Sequence, residues 1–191
     1  MPKKFNDKII VDAGHGGFDP GAVNVPLSLK ESDIALEYAD ILNIMLSVNY
    51  RPAMTRNSDV FVSLKDRAAI ANKYGAGLFV SLHLNAAENP KAKGFEIWTS
   101  RGSTDSDMVA TSVFHSVGDI FPKLKRRADW SDGDPDKEKD YYVLRATKMP
   151  AILIELGFIC NDREAEWLSR SNVIGAYVSA IYSGIKSIWS D

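Results

Sequence analysis

The chain has 191 residues, 45% apolar and 25% charged, the mix of an ordinary globular protein and enough for one compact domain with its own core. Its formal net charge is −2, from 23 basic and 25 acidic residues, which leaves no electrostatic footprint for nucleic acid and no long-range pull on an anionic polymer. No apolar run approaches the about 20 residues of a membrane helix, the N-terminus lacks the apolar core of a signal peptide, and Cys160, the sole cysteine, forms neither a disulfide nor a thiolate cluster.

Residues 8–12 (Lys-Ile-Ile-Val-Asp) predict a buried strand that runs into a glycine-rich turn. Over residues 31–48 a helix gathers Ile34, Tyr38, Ile41, Leu42, Met45 and Leu46 on one face. Residues 51–55 form a weaker strand, which Pro52 assigns to an edge. Ser63 followed by Asp66 marks the start of a helix over 64–74. Strands are expected at 78–84 and 94–99, and a helix at 105–121 that carries His115 in a structural role. The charged segment 128–140 reads as a solvated loop, because its aspartates miss the spacing of an EF-hand calcium loop. Residues 150–156 are the most apolar strand, and Cys160 just beyond them reads as a small buried hydrophobe. Helices at 162–169 and 172–188 complete the chain, the last with a core stripe of Ile174, Val178, Ile181, Ile185 and Ile188. Strands separated by helices predict an α/β, single-domain three-layer sandwich with a twisted, mostly parallel sheet.

Three of these strands end in residues that carry chemistry. Strand 8–12 leads into Asp12-Ala13-Gly14-His15-Gly16-Gly17, strand 78–84 carries His83 followed by Asn85, and strand 150–156 carries Glu155. Parallel strands present their carboxyl ends along one sheet edge, so distant residues converge there. Glu31 opens the first helix from that same edge. Each has a plainer reading: Glu31 as an acid complementing the helix dipole, His83 as a satisfied core residue, the glycine loop as a phosphate cradle. The phosphate reading lacks the Lys-Ser/Thr pair that would follow. Glu155 resists a plain reading, because an ionised carboxylate amid Ala-Ile-Leu-Ile-Glu-Leu-Gly-Phe is costly unless paired or metal-linked. Two histidines and a carboxylate form a catalytic zinc set whose fourth position holds water, with that water's pKa brought to about 7 as it becomes the nucleophile. A second carboxylate then shuttles the proton to the leaving amine. Residue chemistry leaves open which of Glu31 and Glu155 is the ligand.

The segments Ile10 to Ala22, Lys30-Glu31, Ser81-Leu82-His83-Leu84-Asn85-Ala86 and Pro150 to Phe158 resemble the zinc N-acetylmuramoyl-L-alanine amidases of the Amidase_3 type. Thr55-Arg56 through Arg67, Ala71-Asn72, Gly94-Phe95-Glu96 and Tyr142-Val143-Leu144-Arg145 fit the same pattern over about residues 8–188. The resemblance implies one zinc ion held by His15, Glu31 and His83, with Glu155 as catalytic acid and base. The reaction implied is hydrolysis of the amide between N-acetylmuramic acid and L-alanine in peptidoglycan. Asn85 and Glu96 are implied as supporting or substrate contacts. The stretch from Phe121 to Tyr141 departs from the family pattern: Lys123-Leu124-Lys125-Arg126-Arg127 is followed by the acidic segment, which is expected to border the cleft.

The sequence reads as one without a separate wall-binding module, an autoinhibitory helix of the kind some bacterial members insert, or an export signal. It therefore reads as a single catalytic domain, monomeric and without membrane or nucleic-acid partners. It would be synthesised in the cytoplasm and act on the bacterial wall, as a phage endolysin or a trimmed autolysin domain. A zinc peptidase cutting within the stem peptide and a non-catalytic wall-binding module are the alternatives, and manganese or cobalt could replace zinc on the same ligands.

Overall fold

A computed structural model describes residues 6–189. A six-stranded sheet organises them, in the order β4-β1-β5-β8-β6-β7. Its strands are β1 (Lys8–Ala13), β4 (Arg51–Met54), β5 (Leu78–Asn85), β6 (Glu96–Thr99), β7 (Lys137–Glu138) and β8 (Ala151–Phe158). Strands β1, β4, β5 and β8 run parallel, whereas β6 lies antiparallel to β8 and parallel to β7. The short pair β2 (Val23–Asn24) and β3 (Leu29–Lys30) forms a separate hairpin in the loop before α1. Edge strand β4 contains Pro52, which cannot donate to a ladder and so belongs at the rim.

Both faces of the sheet are covered, which accounts for near-continuous apolar runs rather than clean alternation in the central strands. Ile9, Val11, Leu78, Val80, Leu82, Ile152 and Ile154 pack beneath α1 (Glu31–Leu46), α3 (Asp105–Ile120), α5 (Asp162–Leu168) and α6 (Ser171–Trp189). Ile10, Phe79 and Leu153 point the other way, against α2 (Leu64–Tyr74) and the short α4 (Tyr142–Ala146). The large layer is built as its periodicity predicts: Ile34, Tyr38, Leu42 and Leu46 of α1 and Ile174, Val178, Ile181 and Ile185 of α6 are buried, with Ile41, Met45 and Ile188 partly so. Helix α2 begins at Ser63, whose hydroxyl accepts the Asp66 N–H at 3.1 Å and donates to the Asp66 carboxylate at 2.6 Å. No helix among the described residues is long and apolar enough to cross a membrane.

Side-chain parity then fixes where the chemistry lies. Asp12, Ser81, His83 and Glu155 alternate in register with Ile10, Phe79 and Leu153, so they share the face covered only by α2 and α4. That thinner layer stops short of the carboxyl ends of β1, β5 and β8, and a cavity opens there.

Two expectations for the surface are corrected. Segment 128–140 is not wholly a solvated loop: Lys137–Glu138 adds β7 to the sheet, and Asp136 is 2% exposed, accepting the Thr99 hydroxyl at 2.6 Å. Burial, together with the neighbouring Asp134 carboxyl, pushes the Asp136 carboxyl well above the usual carboxylate range. Cys160 is half-buried rather than a core hydrophobe, and its Sγ accepts the Ala87 N–H at 3.3 Å.

The end of β1 is secured by buried charge. Asp12, 1% exposed, accepts hydrogen bonds from Thr55 Oγ1 at 2.6 Å, Ser81 Oγ at 2.6 Å and Arg67 Nη1 at 2.7 Å. Burial works to raise its pKa, but Arg67 and the two hydroxyls reverse that and hold it below the usual carboxylate range. Replacing Arg67 by Met strands a buried carboxylate and several backbone carbonyls, and urea unfolding is expected to show a loss of about 3–5 kcal/mol. A loss below about 1 kcal/mol would mean that this network adds little to stability.

Candidate metal and catalytic site

Past Ala13 the chain turns sharply, and His15 adopts a left-handed φ of 57°. Such a conformation costs a non-glycine residue about 1–3 kcal/mol and persists only where the surroundings fix it. Here the carbonyls of the turn are gathered by two buried guanidinium groups. Arg67 donates to the carbonyls of Ala13 at 2.5 Å and His15 at 2.6 Å. Arg56 donates to those of Ala13 at 3.0 Å and Gly14 at 2.7 Å, and onward to Ser32 of α1 at 2.7 Å. Gly14 is required by packing, since a Cβ there would lie 2.4 Å from His83 Cε1. Gly21 has a φ of 65°, and a Cβ on it would come within 2.6 Å of Glu31 Oε2.

Glu31 is the meeting point. It is the first residue of α1, but its carboxylate is 4% exposed and turned inward rather than capping the helix. Its Oε1 lies 2.9 Å from His83 Nδ1, 3.2 Å from His15 Nε2 and 3.1 Å from the Leu84 N–H, while Oε2 accepts the Ala22 N–H at 3.0 Å. His15 Nδ1 lies 2.9 Å from Asp19 Oδ2. With Asp19 ionised, that contact places a proton on Nδ1 and turns Nε2 toward Glu31.

The electrostatics favour positive charge at this point. Burial depresses the His15 imidazole, but the hydrogen bonds and charges of Glu31 and Asp19 carry it up to about 9. His83 is likewise raised against its burial by Glu31. Burial works against ionised Glu31, yet the two histidines hold it well below the usual carboxylate range. One donor atom from each of His15, Glu31 and His83 lies within 4.8 Å of the others, the only such three-residue group among the described residues. Two imidazole nitrogens and a carboxylate oxygen at that spacing match the donor set of a catalytic divalent metal. The aspartates of 128–140 form no comparable group.

Glu155 faces the same opening. It pairs in register with His83 on β5 and with Glu96 on β6. Just beyond, two residues of β5 oppose three of β8 in a bulge, a device that re-aims side chains beside sites. Glu155 Oε2 is buried with no hydrogen-bond partner. Burial, opposed by His83 and reinforced by Glu31 and Glu96, pushes its carboxyl up to about 7. That value suits a group that takes and returns a proton near neutral pH.

The two remaining sequence candidates lie together but not equivalently. Asn85 lines the cavity and donates to Glu96 Oε1 at 2.5 Å. Glu96 is 2% exposed, and its Oε2 accepts from Arg127 Nε at 3.0 Å and Lys137 Nζ at 2.7 Å. Glu96 thus sits behind Asn85, fully engaged, where it can orient that amide. His115 is exposed on α3, outside the group.

Sequence reasoning missed Asp19 as a partner of His15 and missed the roles of Asp12, Arg56 and Arg67. Asp19 had a usable signal, an acid four residues after a glycine-flanked histidine. The arginines fitted the family pattern but gave no signal of this role, because their partners are backbone carbonyls and, for Arg67, the distant Asp12. The cavity measures about 490 Å³ and is also lined by Phe61, Leu64, Tyr141 and Tyr142, whereas residues 128–140 are absent from its wall. A larger depression of about 670 Å³ at Lys91, Arg163 and Trp167 lacks these catalytic groups.

Comparison with known proteins identifies the family. The chain is 37% identical over 182 residues to the endolysin of Bacillus phage SPP1, covering 93% of this chain and 64% of that protein. It is 32% identical over 188 residues to the sporulation-specific N-acetylmuramoyl-L-alanine amidase of Bacillus subtilis (strain 168), covering 96% of this chain and 68% of that one. The crystal structure of an N-acetylmuramoyl-L-alanine amidase from Clostridium difficile 630 superposes with a TM-score of 0.85 at 32% identity, covering 96% of both chains. The chain spans about two thirds of the length of the two curated relatives. The model of the N-acetylmuramoyl-L-alanine amidase family, Amidase_3, matches residues 9–187, and the chain belongs to that family.

Proposed function

We propose that this chain is a zinc-dependent hydrolase of bacterial peptidoglycan that cuts the amide joining N-acetylmuramic acid to L-alanine. In this reading residues 1–191 form one catalytic domain acting at the cell wall. The observation that carries it is the convergence of His15, Glu31 and His83 within 4.8 Å beside a buried, unpartnered Glu155 oxygen. Family membership supports the bond assigned.

His15 Nε2, Glu31 Oε1 and His83 Nδ1 would hold the zinc ion. When bound, it polarises a carbonyl oxygen and lowers the pKa of water to about 7. The chain's own residues do the rest. Asp19 fixes the His15 tautomer, and the Leu84 and Ala22 N–H groups fix the Glu31 carboxylate. Glu155, its carboxyl near 7, takes a proton from the attacking water and delivers it to the nitrogen of L-alanine as the C–N bond breaks. The cavity walls hold the substrate and limit bulk water around that transfer.

Purified wall treated with the protein is expected to release stem peptides with free L-alanine amino termini. New reducing sugars, or amines deeper in the peptide, would refute the assignment. Glu155→Gln should lower kcat by about 10²–10⁴-fold while metal content and wall binding persist. Loss of wall binding alone, with per-site turnover intact, would remove Glu155 from catalysis. For the wild type, the acid limb of kcat/KM should fall at or below pH 7, because protonated Glu155 accepts no proton and a nearby cation lowers its pKa further.

Metal binding is expected to weaken as pH falls. The His15 imidazole, at about 9 without metal, must lose its ligating proton to bind, so each proton displaced raises the zinc dissociation constant about tenfold per pH unit below that value. Competition with a chelator between pH 6 and 8 measures this, and a flat profile would exclude His15 as a ligand. Asp19→Asn should weaken zinc binding by about 10–100-fold with the fold intact by circular dichroism. Unchanged affinity would show that Asp19 does not orient the imidazole.

A further inference from the structure

Phe18 and Phe61 are 80% and 42% exposed, yet their rings stack at 4.1 Å with planes 28° apart. Both are tied to the site. Phe18 lies between His15 and Asp19 in sequence, and Phe61 lines the cavity with Leu64. The loops carrying them interlock: a Cβ on Gly17 would lie 2.6 Å from the Phe61 nitrogen, and the Gly17 N–H donates to Asp59 Oδ1 at 2.7 Å. Stacking contributes only about 0.5–1.5 kcal/mol, so an aromatic pair left in water at a cavity mouth calls for a ligand contact.

Another part of the rim differs in charge. Tyr141 and Tyr142 line the same cavity, with Lys139 Nζ 4.7 Å from the first ring and Arg145 Cζ 5.0 Å from the second. The basic groups of the Phe18 and Phe61 loops turn inward, His15 to Glu31 and Asp19 and Arg56 to the carbonyls of Ala13, Gly14 and Ser32. Among the described residues a cation stands over each of these tyrosine rings, and none stands over Phe18 or Phe61.

We propose that the Phe18–Phe61 pair is the sugar-binding wall of the cleft, and that the Tyr141–Tyr142 segment with Lys139 and Arg145 receives the stem peptide. This rests on the amidase reading, in which the cleaved bond joins an uncharged sugar to a peptide bearing carboxylates. The negative face of an aromatic ring attracts the C–H face of a pyranose, which needs no charged partner. A peptide carboxylate is attracted to the two cations beside the tyrosines.

The test uses the Glu155→Gln protein and two probes, an uncharged N-acetylglucosamine oligosaccharide as the glycan and a free stem peptide. Phe18→Ala with Phe61→Ala should weaken glycan binding by about tenfold or more and leave stem-peptide binding unchanged, while Phe18→Tyr retains both. Lys139→Glu with Arg145→Glu should do the reverse. Glycan affinity indifferent to the phenylalanines, their loss weakening the peptide instead, or no glycan binding at millimolar concentration would each overturn the proposal. Wild-type product analysis run in parallel separates this from the amidase reading: without L-alanine amino termini that reading fails, whereas with them only the wall assignment is at stake.

Discussion

Arg56 and Arg67 direct nearly all their hydrogen bonds at backbone carbonyls, half of them where β1 ends, and the site depends on that constraint. Without them the carbonyls of Ala13, Gly14 and His15 would face a poorly solvated interior, and His15 would have no reason to hold a left-handed φ. Asp12 supplies the counter-charge that makes a buried Arg67 tolerable, and Thr55 and Ser81 complete that carboxylate's hydrogen bonds. The same guanidinium groups reach Ser32 on α1 and Val62 before α2. The strand end, the first helix and the rim loop are therefore positioned by one network. His15 and Glu31 face each other because their backbones are pinned to it.

The second constraint is steric and electrostatic at once. Gly14 lets the His83 ring lie against the turn, and Gly21 leaves room for Glu31 and the His15 ring. Two imidazoles meeting one carboxylate oxygen form a group that is favourable only when protons or a cation sit between them. The raised imidazoles and the depressed carboxylate express this. Glu155, one strand away, experiences the opposite balance: burial and neighbouring carboxylates dominate, and its carboxyl rises. Two glutamates on one sheet edge are thus driven apart in acidity by what surrounds them, one toward binding positive charge and the other toward carrying a proton.

Much of the scaffold was legible because its signals are local. The 3.6-residue period of α1 and α6, the Ser63 cap, Pro52 on an edge strand and the apolar runs of β1, β5 and β8 each report on short-range geometry. Segment 128–140 was misread for the same reason. Its composition is that of a solvated loop, but β7 exists only because β6 offers an edge, and Asp136 is buried only because Thr99 and Asp134 receive it. Glu96 was legible only through the resemblance, as a supporting or substrate contact, and nothing local told that Asn85, Arg127 and Lys137 occupy it fully.

The sequence by itself determined the α/β class, the strand ends that bear His15, His83 and Glu155, and, through its motifs, the family. Those properties follow from periodicity and residue type, which each segment carries alone. Only the tertiary structure decided that Glu31 takes both imidazoles, that Asp19 orients one of them, and that the site lies on the thinly covered face. Each of those depends on the relative placement of segments far apart in the chain, set by strand register and by buried hydrogen bonds to backbone atoms, which side-chain identity does not encode.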